Sequence, residues 1–369
     1  MVKLAPLALT LGLVLALPVT AQDRTWPGAF NVAERMKLLE TPAYAPLRDA
    51  CLKIATDKKW KRLKPIAGLQ ATEGYGSDNQ AEDFSWAVMV LSGRAVGGDK
   101  TARSALSDLM LRWAEANAFS QTEEVNDAYY ALKRQLLPLT IAYSIVQPSL
   151  SPADSDKLRN WIDPLVRRID KIFDGDVDHN NHRVLADSVL AVWGSVIADD
   201  ALLQKGLSRY DTVLSETRPD GTLALEARRG ARALWYQRQT LSSLTILAET
   251  ARGAGIDLYG RTSSEGRSLA TLIGALMNGL TAPAVVFVYS SENHIPGPEK
   301  NFLNPDLGFL TTRGHGRHYM AWTEAVVANG GKGLAYQRLA GLFRRDIVEQ
   351  RPLIDEFAGG NATCFWGQP

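Results

Sequence analysis

Asn181 and His182 are the first residues whose types and position suggest chemistry. They follow Asn180 in the stretch "DHNNHRVLAD" and stand directly before an apolar run that is typical of a buried helix. Asparagine is a common N-cap residue, so helix capping alone would explain the polar triplet. The same helix start would attract an anion through its free backbone N–H groups, and an imidazole there can take up or release a proton near neutral pH. Both interpretations stand at this point.

A second polar group lies in the stretch "EARRGARALWYQRQ", residues 226–239. Arg229 and Tyr236 are seven residues apart, which places them within about 20° on one face if the segment is a continuous helix. Arg228, Arg232 and Arg238 add positive charge along this stretch. A row of arginines is ordinarily a solvated surface. In a concave site the same row would bind carboxylates and favour the ionised form of the tyrosine.

Asn, His, Arg and Tyr together suit the cleavage of a uronic acid polymer by β-elimination. That reaction removes the C5 proton beside a carboxylate and expels the O4 leaving group. The carboxylate must be neutralised while negative charge builds up, which Asn181, His182 and Arg229 can do. One tyrosine can serve as both base and acid when the proton and the leaving group lie on the same face of the sugar. Tyr236 is the candidate for that role.

A calcium site is excluded by the same stretch of sequence. The spacing of Asp174, Asp176 and Asp178 resembles a calcium loop. His179 stands where that loop needs glycine, however, and Leu185 stands where it needs glutamate. We therefore predict no calcium ion here.

Other acids and histidines offer alternatives. Asp178 and Glu226 could act as the acid and base of a glycoside hydrolase, although acids before a helix are ordinarily solvated or stabilise the helix dipole. His294, His315 and His318 do not have the spacing of a defined metal site. We predict no metal and no other cofactor.

Helical periodicity dominates the chain that must position these residues. Ser151, followed by a proline and then by an acid three residues after it, predicts a helix start. Short joints between successive helices imply antiparallel neighbours. The further predicted helices are 100–119, 126–146 with a kink at Pro138, 183–198, 201–217, 232–254 and 264–280. We predict an all-α fold, a toroid or incomplete barrel of antiparallel helical hairpins, formed by one domain over residues 22–369.

Few segments depart from the helical pattern. Residues 284–290 and parts of 308–327 are strand-like. Residues 68–83, "GLQATEGYGSDNQAED", form a polar loop with Tyr75 in its middle. This loop is either a flexible surface segment or a lid whose aromatic ring closes on a ligand.

Composition bounds the compartment and the partners. Residues 1–21 have a lysine, an apolar run and a small-residue cleavage site, which predicts a signal peptide. The protein is then periplasmic or secreted, with no membrane insertion, and Cys51 and Cys364 either form a disulfide or remain buried thiols. The formal charge of the full chain is +1, so no net field attracts nucleic acid.

In these residues the sequence resembles the alginate lyase family. Its members are (α/α)-toroid polysaccharide lyases that act on polymannuronate, with relatives that act on polyglucuronate. The resemblance covers about residues 113–260. The motifs that carry it are "NNH" at 180–182, "RPDGTLALEARRGARALWY" at 218–236 and "ARGAGIDLYG" at 251–260. It implies a cofactor-free enzyme whose partner is an anionic polyuronate, with a lid at residues 68–83.

The resemblance also implies roles for single residues. Asn181 and Arg229 would neutralise the substrate carboxylate, His182 would assist them or act as base, and Tyr236 would be base and acid. We further expect substrate contacts from a set of aromatic and basic residues, namely Tyr75, Lys133, Arg134, Arg232 and Arg238.

Two departures from the family pattern bear on specificity. Val184 and Leu185 replace aromatics that follow Asn-Asn-His in the alginate enzymes, and residues 237–239 replace His-Asn-Tyr. We expect both changes to lie at the sugar-binding surface, and they leave open which uronate is preferred. The competing hypotheses are a glycoside hydrolase on the same kind of toroid and a non-catalytic polyuronate-binding protein.

Overall fold

Helices form almost all of the regular structure. The computed structural model describes residues 25–71, 79–171, 175–293 and 304–369. In chain order the α-helices of this part of the chain are α1 (Val32–Glu40), α2 (Ala45–Leu52), α3 (Asn79–Val96), α4 (Lys100–Glu115), α5 (Asn126–Val146), α6 (Pro152–Arg168), α7 (Asn181–Val196), α8 (Asp200–Glu216), α9 (Ala224–Ala227), α10 (Ala233–Gly253), α11 (Leu269–Thr281), α12 (Thr323–Asn329), α13 (Leu334–Leu342) and α14 (Ala362–Trp366).

The strands of the described residues are only two residues long. β1 (Thr312–Arg313) pairs antiparallel with β2 (Arg317–His318), and β3 (Ile354–Asp355) pairs antiparallel with β4 (Gly360–Asn361). The predicted all-α class with minor short strands is therefore confirmed.

Successive helices alternate between two layers. α3, α5, α7 and α10 pack one against the next, while α4 and α8 lie against α3 and α7 from the other side. Nearly every residue of α5, α7 and α10 is buried, whereas α4, α6 and α8 bury one face only. This difference follows from the sequence, because an inner helix must be apolar all round and an outer helix needs one apolar stripe.

The C-terminal segment joins the two ends of this helical row. α12 contacts α10, α14 contacts α12, and α14 also packs on α2 and α3. Arg35 of α1 donates from Nε to the Cys364 carbonyl at 2.6 Å. A disulfide links Cys51 to Cys364, whose Cα atoms are 5.5 Å apart. Both ends of the described chain are thus tied to the inner helices.

Helix predictions were confirmed where capping and periodicity agreed. α5 has the predicted bounds and runs through Pro138, and the Ser151 side chain caps α6 by accepting from the Asp154 N–H at 3.1 Å. The strand predicted at 284–290 is wrong, because residues Pro283–Phe287 and Ser290–Glu292 form 3-10 helices. Val285 and Val288 are exposed there, so their β-branched side chains are not half-buried on a sheet.

A further finding concerns apolar length. Within the described ranges no single helix is long and apolar enough to cross a membrane. The helical segments Leu269–Thr281 and Ala284–Glu292 reach the required length and hydropathy only when they are counted together, and they are bent by 113° relative to each other.

Candidate active site

The start of α7 separates the roles of two neighbouring asparagines. Asn180 is the N-cap, and its Oδ1 accepts from the His182 backbone N–H at 2.8 Å. Asn181 is the first helical residue and is 3% exposed. Its side-chain Nδ2 is buried and has no hydrogen-bond partner among the described residues. The capping interpretation is confirmed for Asn180. Capping does not involve the Asn181 side chain, so its amide is available to a ligand. A ligand acceptor would offset the free-energy cost of burying that amide without a hydrogen bond.

His182 is held as a neutral imidazole. Its ring stacks on Tyr130 of α5, with centroids 4.0 Å apart and an interplanar angle of 15°. Burial lowers the pKa of His182 well below its ordinary value, and the charges of Lys133 and Arg229 lower it further. Nδ1 is buried without a partner in the described part of the chain. A neutral ring can accept a proton or donate a hydrogen bond, but it brings no positive charge of its own.

Arg229 and Tyr236 come together by a route that the sequence did not predict. The segment is not a continuous helix, since α9 ends at Ala227, residues Gly230–Arg232 form a 3-10 turn and α10 begins at Ala233. Gly230 has φ +54°, a left-handed conformation that glycine adopts without strain. The turn brings the Arg229 guanidinium carbon to 4.9 Å from the centre of the Tyr236 ring.

A pocket opens beside Tyr236 between α5, α10 and the C-terminal segment. Its volume is about 130 Å³. Arg134, Arg232, Arg238 and Tyr236, all predicted from the sequence, line it. Gln239, within the stretch 237–239 that was expected at the sugar-binding surface, also lines it. The lining residues that the sequence did not indicate come from four separate segments: Tyr130, Trp235, Tyr319, Glu356 and Phe357. The one sequence feature that could have indicated these residues is the presence of adjacent aromatics such as Tyr129 and Tyr130. Such a pair does not show whether the rings lie in the hydrophobic core or in a binding site.

The basic residues of the pocket are organised by buried acids. Glu356 accepts from Arg134 at 2.7 Å and from Arg317 at 2.8 Å. Burial opposes ionisation of Glu356, but these two guanidinium groups lower its pKa to about 2. Arg238 lies 3.6 Å from Asp355, whose pKa burial raises well above its ordinary value. The pocket therefore keeps an excess of positive charge, which favours an anionic ligand.

Arg238 and Arg232 differ in their surroundings. Arg238 is 1% exposed, and its guanidinium carbon lies 4.8 Å from the Tyr319 ring centre. Arg232 is half-buried, 3.3 Å from Asp306 and 5.5 Å from the Trp235 ring centre. Arg238 is thus not part of the solvated row of arginines that was the alternative interpretation.

Lys133 occupies a different place from the one predicted. It is 1% exposed, and its Nζ donates to the His182 carbonyl at 3.3 Å. Burial lowers the pKa of Lys133 well below its ordinary value. Lys133 therefore holds the start of α7 through the His182 carbonyl and does not line the pocket. The prediction that Lys133 contacts substrate is wrong. Tyr75, in the predicted lid, lies outside the described residues.

The departures expected to alter the sugar-binding surface also need correction. Val184 and Leu185 are 1% and 0% exposed and belong to the hydrophobic core. Gln237 is buried and donates to the Gly221 carbonyl at 3.0 Å. Of the changed residues, Arg238 and Gln239 line the pocket. Any effect on specificity at these positions is therefore confined to α10.

Neither alternative constellation forms a site. Asp178 is half-buried and lies 3.5 Å from Arg183, while Glu226 is buried against the start of α7. His315 pairs with Asp83 at 2.8 Å, and the Nδ1 of His318 accepts from the Met320 N–H at 3.2 Å. Across the described ranges no group of three potential ligands could hold a metal ion. His294 lies outside those ranges.

Comparison with known proteins gives concordant results. The family model described as alginate lyase matches residues 71–285, more than half of the chain. A curated Stenotrophomonas maltophilia protein named polysaccharide lyase is 28% identical over 191 residues, which are 51% of this chain and 57% of that protein. The chain therefore spans little more than half the length of this relative.

Solved structures show the same fold over nearly the whole chain. Alginate lyase A1-III of Sphingomonas species A1 matches with a TM-score of 0.73 and 21% identity, covering 95% of this chain and 99% of that one. A variant of alginate lyase A1-III complexed with a tetrasaccharide matches with a TM-score of 0.74 at 21% identity, covering 95% and 98%. An alginate lyase of Bacteroides ovatus matches with a TM-score of 0.60 at 16% identity, covering 92% and 99%. The predicted (α/α) toroid is confirmed.

Proposed function

This chain belongs to the alginate lyase family, and we propose that it is a polysaccharide lyase that cleaves a β-1,4-linked polyuronate by β-elimination. The observation that supports this most directly is the Arg229 guanidinium 4.9 Å from the centre of the Tyr236 ring. His182 lies close enough for the charge of Arg229 to lower its pKa. The arginine-lined pocket beside Tyr236 supplies the positive field that a polyuronate needs.

In the proposed reaction the substrate carboxylate is neutralised by Asn181 and Arg229. The Asn181 amide is a buried donor with no acceptor among the described residues, and Arg229 supplies the positive charge. Neutralisation allows negative charge to build up at the carboxylate as the C5 proton leaves. His182, being neutral, adds a hydrogen bond to the carboxylate. If it instead takes the C5 proton as base, Tyr236 acts only as the acid that protonates O4.

Tyr236 completes the proton transfers. Its phenolic oxygen takes the C5 proton, the C4–O4 bond breaks as the C4–C5 double bond forms, and the same oxygen returns a proton to O4. The nearby Arg229 guanidinium favours negative charge on that oxygen. The products are a new reducing end and an unsaturated uronide end.

The choice of polymer is part of the proposal. Mannuronate and glucuronate differ at C2, away from the eliminating bond, so the four catalytic groups treat them alike. We include both polymannuronate and polyglucuronate as substrates.

We also propose that the protein is periplasmic or secreted. The signal-peptide pattern of residues 1–21 and the Cys51–Cys364 disulfide both support an oxidising compartment. An exported chain that begins at Gln22 is the expected product.

A panel of defined polyuronates tests the proposed activity. The rise in ultraviolet absorbance of the unsaturated ends should occur with polymannuronate or polyglucuronate, and Tyr236→Phe should lower kcat by about 10²- to 10⁴-fold because general acid–base catalysis is lost. Tyr143→Phe is the matched control, since the Tyr143 hydroxyl bonds Ser155 at 2.8 Å outside the pocket.

Each other outcome identifies a competing function. Reducing ends without unsaturated product would indicate a glycoside hydrolase. Polymer that is bound but keeps its length would indicate a binding protein. Full activity in Tyr236→Phe would remove Tyr236 from the mechanism.

A further inference from the structure

Glu226 is a buried residue to which the proposed mechanism assigns no step. It lies in α9 and is 2% exposed. Its Oε1 accepts from the Asn181 backbone N–H at 2.7 Å. Its backbone carbonyl accepts from the Arg229 N–H at 3.1 Å. One residue therefore bonds to the backbone of both groups that are proposed to neutralise the substrate carboxylate.

A third segment also reaches this side chain. The Thr240 hydroxyl of α10 lies 3.5 Å from the same Oε1. Thr240 follows Tyr236 by four residues on that helix, about one turn. The start of α7, the Arg229 turn and the helix of Tyr236 thus meet at Glu226.

The Glu226 carboxyl group titrates close to neutral pH. Burial raises its pKa to about 7, although the Asn181 N–H, its own backbone N–H, the Arg229 charge and Thr240 act in the opposite direction. α7 and α10 face the carboxyl group with neutral donors, and Arg229 is the charged group that acts on it. The ionised form is the one that the N-terminus of α7 and Arg229 stabilise.

We propose that Glu226 is a positioning residue, whose carboxylate holds the start of α7 and the Arg229 turn at the spacing that lets Asn181 and Arg229 act on one substrate carboxylate. This inference rests on the proposed lyase function. It does not place Glu226 in contact with the sugar. Protonation weakens the bond to Asn181 and the attraction to Arg229, so catalysis should fall as the pH falls through about 7.

Glu226→Gln tests the proposal, because glutamine keeps the shape and an acceptor oxygen but cannot ionise. Initial rates on a cleaved polyuronate are measured from about pH 5 to about pH 9. We expect the variant to lose about tenfold in kcat at the alkaline end with little change in KM. The decline of wild-type activity on the acidic side of pH 7 should be absent from its profile.

Glu249→Gln is the matched control. Glu249 is 1% exposed, accepts from the Tyr259 hydroxyl at 2.7 Å, and does not line the pocket. Its replacement should lower thermal stability and leave the pH profile unchanged. The proposal is overturned if Glu226→Gln keeps the wild-type kcat and acidic decline. It is also overturned if both variants lose activity only in proportion to the folded protein that they lose.

A spectroscopic measurement separates failure of this inference from failure of the proposed function. If the wild type cleaves no polyuronate, the lyase function fails. The Asn181 amide resonance then decides the positioning role, since it should shift with a midpoint near pH 7 in the wild type and not in Glu226→Gln. An Asn181 amide that does not titrate in the wild type would reject the inference.

Discussion

Glu356 shows how single buried charges set the properties of the pocket. It accepts from Arg134 of α5 and from Arg317 of β2, and both guanidinium groups are mostly buried. A buried carboxylate between two arginines keeps each of them in place, while loss of that carboxylate would leave two poorly compensated charges. The pocket therefore depends on a residue that aligns its arginines as well as on those that would meet the sugar.

We predict that Glu356→Gln lowers the free energy of unfolding at neutral pH by about 3–5 kcal/mol. The pKa of Glu356 is depressed from 4.5 to about 2, so its contribution is present above its ordinary pKa and is lost as the pH falls from about 4.5 to about 2. Urea unfolding at several pH values should show the wild type converging on the variant in that range. Glu115→Gln, which removes an exposed pair with Lys157, is the control and should show no such convergence.

At the scale of elements, the break between α9 and α10 is the decisive local feature. A continuous helix would fix Arg229 and Tyr236 by spacing alone. The observed turn instead places the guanidinium over the ring, with the Arg232 N–H donating to the Arg229 carbonyl at 3.1 Å. A short irregular segment thus determines the geometry that the chemistry needs, while α7 and α10 supply a rigid frame on either side.

Gly230→Ala should therefore reduce activity more than stability. Alanine at φ +54° costs about 1–2 kcal/mol, and relaxation of the turn would move Arg229 away from Tyr236. We expect a fall of about tenfold or more in kcat. Gly255→Ala is the control, because Gly255 has φ +73° and open space around its Cβ position but is not in the site. Equal activity in the two variants would contradict the role assigned to the turn.

On the scale of the whole molecule, the C-terminal segment both lines the pocket and bonds to the N-terminal helices. Glu356 and Phe357 line the pocket, and a few residues later Cys364 is bonded to Cys51, 313 residues away in sequence. Arg35 adds bonds to the carbonyls of Thr363 and Gly367 at 3.0 and 2.8 Å. One segment therefore contacts the N-terminal helices and also lines the pocket.

Replacing both cysteines by serine should lower the free energy of unfolding by about 2–4 kcal/mol, because the crosslink restricts the unfolded chain. Activity measured well below the melting temperature should stay near the wild-type value, since neither cysteine lines the pocket. Thermal unfolding with and without reductant provides the measurement. Added reductant should destabilise the wild type and leave the double variant unchanged.

Local features of the sequence were sufficient for the helices and for naming candidate reacting groups. The Ser151 cap, the apolar periodicity of α5 and the Asn180 cap depend on neighbouring residues only. The residue types Asn, His, Arg and Tyr indicated the chemistry because β-elimination needs neutralisation of a carboxylate and a proton carrier. The same reasoning did not show that Lys133, Val184 and Leu185 are buried, because burial depends on which helices pack together.

The pocket was decided by the tertiary structure. Tyr130, Tyr319 and Glu356 come from segments up to 226 residues apart in sequence, and no short-range pattern relates them. Packing of α5, α10 and the C-terminal segment brings them together. Burial then shifts the pKa values of Glu226 and His182, while the guanidinium groups of Arg134 and Arg317 keep Glu356 ionised. The sequence by itself determined which groups could react. The tertiary structure determined their surroundings, because desolvation and long-range contacts arise only when distant segments pack.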